Sequence, residues 1–140
     1  MKLLIYAEGA KQITMVIDHR NQCQVAKFVS DSDRDLGDKM FNLLTKSAED
    51  GPPEHNNTKA KRLRDDIWEF KVGPKQGAKL RVLYFRGNND RIVCTNAFKK
   101  AQQKTPPAEI NRAIRMLADY KTAQITGTLE TVTIDQFENS

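Results

Sequence analysis

Basic side chains recur at alternate positions of strand-like segments in the second half of the sequence. Lys71 follows the alternation of one segment, and Lys79 with Arg81 follows that of the next. Because successive side chains of a strand point to opposite faces, these three residues would gather on one face of a sheet. Lys99 and Lys100 end a third segment and would add two cations at the strand end. A face of this kind attracts a polyanion, of which nucleic acid is the usual one.

RNA cleavage is a reaction that such a cluster could carry out. RNA supplies its own nucleophile, the 2′-hydroxyl, so in-line geometry, charge stabilisation at the phosphate and proton transfers are sufficient. Arginine stays protonated and binds two phosphate oxygens, and a lysine with a lowered pKa can transfer protons. The sequence has no HExxH, GxxxxGK[ST], GxGxxG or nucleophile elbow, which disfavours most other hydrolase classes. We therefore predict a site without a metal or cofactor.

Each candidate also has a plainer interpretation. Taken singly, lysines and arginines of this kind are more often solvated surface groups than catalysts. His55, in a basic loop, could be a general base or an RNA contact, but an ordinary surface histidine is the commoner case. Trp68 and Phe98 could stack on bases, although the apolar alternation around them favours the core.

Composition places the positive charge in one region. The formal net charge is +5, yet residues 59–104 hold 13 Lys and Arg against 4 Asp and Glu. No apolar run is long enough to span a bilayer, and the opening apolar run is too short for a secretion signal, so we predict a cytoplasmic protein. Cys23 and Cys94 lack CxxC spacing and indicate buried thiols rather than a disulfide or zinc site.

Hydrophobic periodicity predicts the elements that would position these residues. Short strands are expected at 3–6 and 13–17, a helix at 32–50 and a helix from Thr105 onward, with Ser32 and Thr105 as capping candidates. Residues 22–30 fit a helix or a strand, with Asn21 as a candidate cap. The loop at 51–66 is long and basic. Three further strands, at 67–72, 79–86 and 91–97, are spaced tightly enough for an antiparallel meander.

These elements predict an α+β fold, with an antiparallel sheet, N-terminal helices packed on one face and a C-terminal helix. A single domain is expected over residues 1–125. Residues 126–140 would be an acidic tail or an added strand, and such a tail could mask a basic face if it lay nearby.

The strand segments carry a family pattern. IWEFKV, followed by GAKLRVLYFRGNNDRIVCTNAFKKAQQKTPPAEINRA, resembles the phage-derived, HigB-like branch of the RelE/ParE toxin superfamily of type II toxin–antitoxin systems. The resemblance covers roughly residues 58–118. It implies a RelE-like domain in which residues 22–50 form paired helices before the sheet, which favours the helical interpretation of residues 22–30.

The resemblance also implies an activity and partners. Toxins of this type cleave mRNA, usually on the ribosome, and so inhibit translation and arrest growth. A partner antitoxin, often a helix-turn-helix protein, holds them in check in a hetero-oligomer. The chain is thus expected to be an endoribonuclease, or mRNA interferase.

Positions can be carried over from the resemblance one by one. Arg81 and Lys100 would stabilise the phosphate and the transition state, and Lys71 would position the substrate or transfer a proton. Lys61, in the place of a basic loop residue, would contact the RNA backbone together with Arg62. The basic region itself adds four candidate RNA contacts, namely Lys79, Lys99, Lys104 and His55. Two departures bear on the acid–base assignment: Glu69 stands where some relatives have a second lysine, and proline fills the region where others have a catalytic tyrosine.

Two other functions fit the same residues. A toxin of the same fold could resemble ParE, which binds DNA gyrase and blocks it without being an enzyme. The third alternative is an RNA- or protein-binding module that lacks activity. Basic residues are compatible with all three.

Overall fold

The computed structural model describes residues 1–53, 59–101 and 104–139. Within these residues seven strands and four helices follow one another along the chain. The elements are β1 (Lys2–Glu8), β2 (Gln12–Ile17), α1 (Gln24–Asp31), α2 (Arg34–Asp50), β3 (Ala60–Arg62), β4 (Trp68–Val72), β5 (Lys79–Arg86), β6 (Arg91–Lys100), α3 (Pro107–Thr126), β7 (Glu130–Thr133) and α4 (Ile134–Glu138). The predicted strands and the helical interpretation of residues 22–30 are confirmed.

All the described strands form one sheet in the order β3-β4-β5-β6-β2-β1-β7. The predicted meander is present, since β3 to β6 pair antiparallel in sequence order. The sheet as a whole is mixed, because β2 joins β6 in parallel and β7 joins β1 in parallel. The predicted α+β class is confirmed, with the parallel pairs as an addition that the local sequence did not indicate.

The sheet has a helical layer on each face. Helices α1 and α2 cover one face, where Val29, Met40 and Leu44 pack against apolar side chains such as Phe70 and Val82. Helix α3 covers part of the opposite face, packing on a second apolar cluster. That cluster includes Leu83, Phe85, Val93, Phe98, Ile110 and Tyr120. Burial of these side chains, at about 1.5–3 kcal/mol each, supplies the main driving force for folding.

The helix caps differ from those predicted. Cys23, not Asn21, is the N-cap of α1, and Asp33, not Ser32, is the N-cap of α2. The Asp33 carboxylate accepts hydrogen bonds from the backbone N–H groups of the first turn, which an aspartate does well beside the positive helix end. Gly37, a weak helix former, allows close packing, because a Cβ there would lie 2.8 Å from the Val29 carbonyl oxygen of α1.

The two ends of the described chain meet at one edge of the sheet. Residues 130–133 pair with residues 2–5, so this part of the tail adds a strand to the sheet. This edge is the opposite one from β3 and β4. The acidic tail therefore lies away from the basic strands, and the expectation that it could mask them is wrong.

The predicted loop at 51–66 contains one element that the pattern did not reveal. Residues 60–62 pair with β4 as a three-residue edge strand, too short to show alternation in the sequence.

Of the residues described, none belongs to a helix that is both long and apolar enough to cross a membrane.

Helix α3 docks on the sheet through a close approach at Gly87. A Cβ at this position would lie 2.5 Å from the Tyr120 hydroxyl oxygen, too close for any real contact. That hydroxyl accepts hydrogen bonds from the backbone N–H of Asn88 and from Gln124, both at 3.2 Å, so Tyr120 cannot move away without losing them.

Gly87→Ala should therefore lower the free energy of unfolding by about 1–3 kcal/mol, the usual cost of overpacking. Urea denaturation measures this change. Adding Tyr120→Phe removes the clashing hydroxyl, so the double variant should lose less stability than the sum of the two single variants. Strict additivity of the two changes would show that the contact does not restrict α3.

Candidate nucleic-acid interface

Four lysines lie together on the part of the sheet that α3 leaves open. Strand registers place Lys61 opposite Glu69, Lys71 opposite Arg81 and Lys79 opposite Lys100, all on the α3 side of the sheet. Lys61 and Lys100 are exposed, and Lys71 and Lys79 are half-buried. We call Lys61, Lys71, Lys79 and Lys100 the basic face. The prediction that Lys71, Lys79 and Arg81 share one side of the sheet is confirmed by these registers.

Like-charged residues lie opposite each other on neighbouring strands at two places on this side of the sheet. Lys71 lies opposite Arg81, and Lys79 lies opposite Lys100. Directly opposed side chains have Cβ atoms only about 4.5–5.5 Å apart, and like charges in such pairs destabilise a sheet. The Lys79–Lys100 pair thus holds positive charge together at a cost to stability, which a bound anion would offset, whereas the charge of Arg81 is balanced by Glu69.

Beneath the basic face lies a buried polar cluster. Arg81 and Glu69 are each 1% exposed, and Arg81 Nη1 lies 3.4 Å from Glu69 Oε1. The Thr105 hydroxyl donates a 2.6 Å hydrogen bond to the same carboxylate oxygen and accepts one from Arg81 Nη1 at 3.4 Å. The cluster thus joins β4, β5 and the residue pair that precedes α3.

This cluster corrects the role expected for Arg81. A guanidinium that is buried and bonded to Glu69 and Thr105 is not available to a phosphate at the surface. Strand alternation correctly predicted the face of the sheet on which Arg81 lies, but it did not predict that Arg81 is buried there. Thr105 likewise does not cap α3, whose N-cap is Pro106, because its hydroxyl is engaged by Glu69.

Lys71 has an altered acidity. Partial burial lowers its pKa, the neighbouring Glu69 carboxylate opposes the shift, and the charges of Arg81, Lys61 and Lys79 lower the pKa further. A lysine of lowered pKa has a larger neutral fraction near neutral pH, and only the neutral amine can accept a proton. Lys71 is thus suited to proton transfer as well as to charge stabilisation.

The other predicted RNA contacts do not all join the basic face. Arg62 lies opposite Trp68, and Lys99 lies opposite Leu80. Trp68 and Leu80 are on the face that α1 and α2 cover, so Arg62 and Lys99 are on that face too. Arg62 also lies 3.6 Å from Asp66, and Lys99 lines a groove beside α1. Lys104 is exposed next to Thr105, close in sequence to the buried cluster. His55 lies outside the described residues.

Several residues of the site were missed by the sequence reasoning. Glu69 was noted only as a departure from relatives, although a carboxylate among strand cations could have indicated the ion pair. Lys39 and Lys46 of α2 lie with Lys59 and Lys71 around a cavity, which linear spacing does not reveal. Among the described residues no group of three or more His, Cys, Asp or Glu is placed to hold a metal ion.

Comparison with known families gives one match. A model of the family described as phage-derived protein Gp49-like (DUF891) matches residues 27–118. The matched region runs from α1 into α3 and includes every residue of the basic face and the buried cluster. A search of curated proteins found no match.

Glu69→Gln should lower the free energy of unfolding by about 3–5 kcal/mol, because it leaves the buried Arg81 charge without its counterion. Urea denaturation gives the value. The control is Asp31→Asn, which breaks the exposed ion pair with Lys27 and should cost less than about 1 kcal/mol. Equal losses in the two variants would contradict a structural role for the Arg81–Glu69 pair.

Proposed function

Because the chain belongs to the phage-derived Gp49-like family, we propose that it is a RelE/HigB-like toxin of a type II toxin–antitoxin system that cleaves mRNA on the ribosome. The observation that carries the proposal is the basic face, four lysines on one side of the sheet with Lys79 directly opposite Lys100. An RNA phosphate bound between these lysines would relieve their mutual repulsion. The α+β fold, with a helical layer on each face of the sheet, agrees with a small RelE-like domain.

The proposed reaction uses the nucleophile that RNA carries. The 2′-oxygen attacks the adjacent phosphorus as its proton passes to a base, and the bond from phosphorus to the 5′-oxygen breaks. The leaving 5′-oxygen takes a proton from an acid, so the products are a 2′,3′-cyclic phosphate and a 5′-hydroxyl. Negative charge grows on the phosphoryl oxygens in the transition state, and fixed cations nearby stabilise it.

The residues of the basic face divide these tasks. Lys71, with its lowered pKa, is the proposed base for the 2′-hydroxyl, or a positioning cation beside it. Lys100 and Lys79, opposed on neighbouring strands, would stabilise the phosphoryl charge. Lys61 would hold the RNA backbone at the edge strand. Arg81 would act indirectly, since its ion pair with Glu69 fixes β4 and β5 beneath the lysines.

A partner that restrains the activity is part of the proposal. A helix-turn-helix antitoxin would form a hetero-oligomer with the chain, and its simplest way to inhibit would be to cover or distort the basic face. Cleavage of mRNA in the absence of that partner would stop translation and growth.

Purified protein added to translating ribosomes should yield discrete mRNA fragments with 2′,3′-cyclic phosphate and 5′-hydroxyl ends. The chemistry of the ends separates attack by the 2′-oxygen from hydrolysis by a metal-activated water, even though ribosomes require Mg²⁺. Intact mRNA together with inhibited DNA supercoiling by gyrase would instead favour the ParE-like alternative.

Lys71→Arg tests the proton-transfer role, because arginine keeps the charge but does not deprotonate in proteins. If Lys71 is the base, this variant should cleave about 10²- to 10⁴-fold more slowly than the wild type, the usual contribution of general acid–base catalysis. The wild-type rate should rise with pH as Lys71 loses its proton, with an inflection below that of an ordinary lysine. The variant should lack this rise.

The control for this change is Lys27→Arg, a swap on exposed α1 that should leave the rate and its pH profile unchanged. Full activity of Lys71→Arg with a severe loss in Lys71→Ala would assign Lys71 to charge stabilisation and contradict proton transfer. Unfolding free energies of all three variants check that the fold is intact.

A further inference from the structure

A cavity of about 430 Å³ lies between α2 and the end of β4, on the side of the sheet opposite the basic face. Lys39 and Lys46 line it from α2, and Lys59 and Lys71 line it from the sheet side. No carboxylate is among the described residues that line it. The cavity thus gathers four cations and no anion from the described part of the chain.

The lysines on α2 belong to a polar stripe of that helix. Lys39, Asn42 and Lys46 follow helical spacing, one above the next, along the side of α2 that faces the cavity. Lys39 is held 3.0 Å from Asp35 of the previous turn. Of the described carboxylates, none comes within 4.0 Å of Lys46 Nζ, so this ammonium group has no ion-pair partner there.

Lys71 belongs to both sites. It is one of the four lysines of the basic face and also lines the cavity. Lys59 is adjacent, since its carbonyl oxygen accepts a hydrogen bond from the Lys71 backbone N–H at 2.9 Å. Positive charge therefore continues from the basic face, past the point where β3 begins, into the cavity beside α2.

We propose that this cavity, which we call the lysine cavity, binds a backbone phosphate of the RNA segment next to the cleaved bond. The inference rests on the proposed function and adds a second contact point for the same strand. RNA would lie across the basic face at Lys71 and pass around the edge of β4 toward Lys46.

The side chains of the lysine cavity fit a phosphate better than a base. Lysine is a point charge with rotatable donors that follows a backbone without reading sequence. None of the described residues that line the cavity is aromatic, so these residues offer no platform for base stacking of the kind that reads single-stranded RNA. The contribution should therefore be independent of sequence and sensitive to salt.

The test compares Lys46→Ala with Lys121→Ala, which removes an equal charge from an exposed site on α3. The wild type and both variants are titrated with a 2′-O-methylated RNA strand of about 12 nucleotides, which cannot be cleaved and is within the usual span of single-strand sites. A dinucleotide of the same chemistry serves as a ligand that reaches the basic face alone.

For the long strand, Lys46→Ala should weaken binding about two- to fivefold, the ratio an exposed ion pair usually contributes. The slope of log affinity against log salt should fall by about 0.7, the value for one phosphate contact on a single strand. Lys121→Ala should match the wild type, and Lys46→Arg should restore the slope. Binding of the dinucleotide should be the same in all four proteins.

Two outcomes would overturn the inference, and a third would separate it from the proposed function. If Lys46→Ala behaves as Lys121→Ala does on the long strand while the wild type still cuts mRNA, the lysine cavity is not part of the RNA path and the proposed function stands. An equal loss on the dinucleotide would show that Lys46 acts through the basic face. If the salt slope depends on Lys46 but the protein produces no cleavage ends, RNA binding at the lysine cavity would be supported and the proposed nuclease activity would be contradicted.

Discussion

The buried ion pair between Arg81 and Glu69 is the interaction on which the functional half of the sheet depends. Removing two charges from water costs several kcal/mol per ion, and the pair recovers this only with good geometry and further hydrogen bonds. Thr105 supplies one of them. Because Glu69 and Arg81 lie on neighbouring strands and Thr105 precedes α3, the pair connects these three segments beneath the lysines.

The α3 side of the sheet has an apolar part that packs under α3 and a charged part that α3 leaves open. Apolar side chains such as Leu83 and Phe85 lie under α3, and the buried ion pair forms the boundary. On the far side of the ion pair the strands carry neighbouring lysines. Neutral residues or opposite charges at these positions would make the sheet more stable. The same boundary leaves Lys71 half-buried and close to other cations, the two conditions that lower its pKa.

Much of this arrangement follows from strand alternation, and the limits of that reasoning are physical. The period of two placed Lys71, Lys79 and Arg81 on one face correctly, since it depends only on backbone geometry. It did not reveal that Arg81 is covered, because burial depends on Thr105 and α3, which are distant in sequence. Lys99 was grouped with Lys100 as a neighbour in the chain, although adjacent strand residues point to opposite faces. The lysine cavity combines a helix, an edge strand and a sheet strand, and no linear pattern connects the three.

The sheet continues well beyond the part that matches the family. β1, β2 and β7 lie outside residues 27–118, yet they form the half of the sheet opposite β3. Ile13 and Met15 of β2 are fully buried beneath the first two helices, so this half adds to the core. Pairing of β7 with β1 also covers a strand edge that would otherwise be open to another chain. Buried core side chains lie on both sides of β6, whereas the lysines of the basic face lie on β3 to β6, so the added strands enlarge the sheet without adding charge to that face.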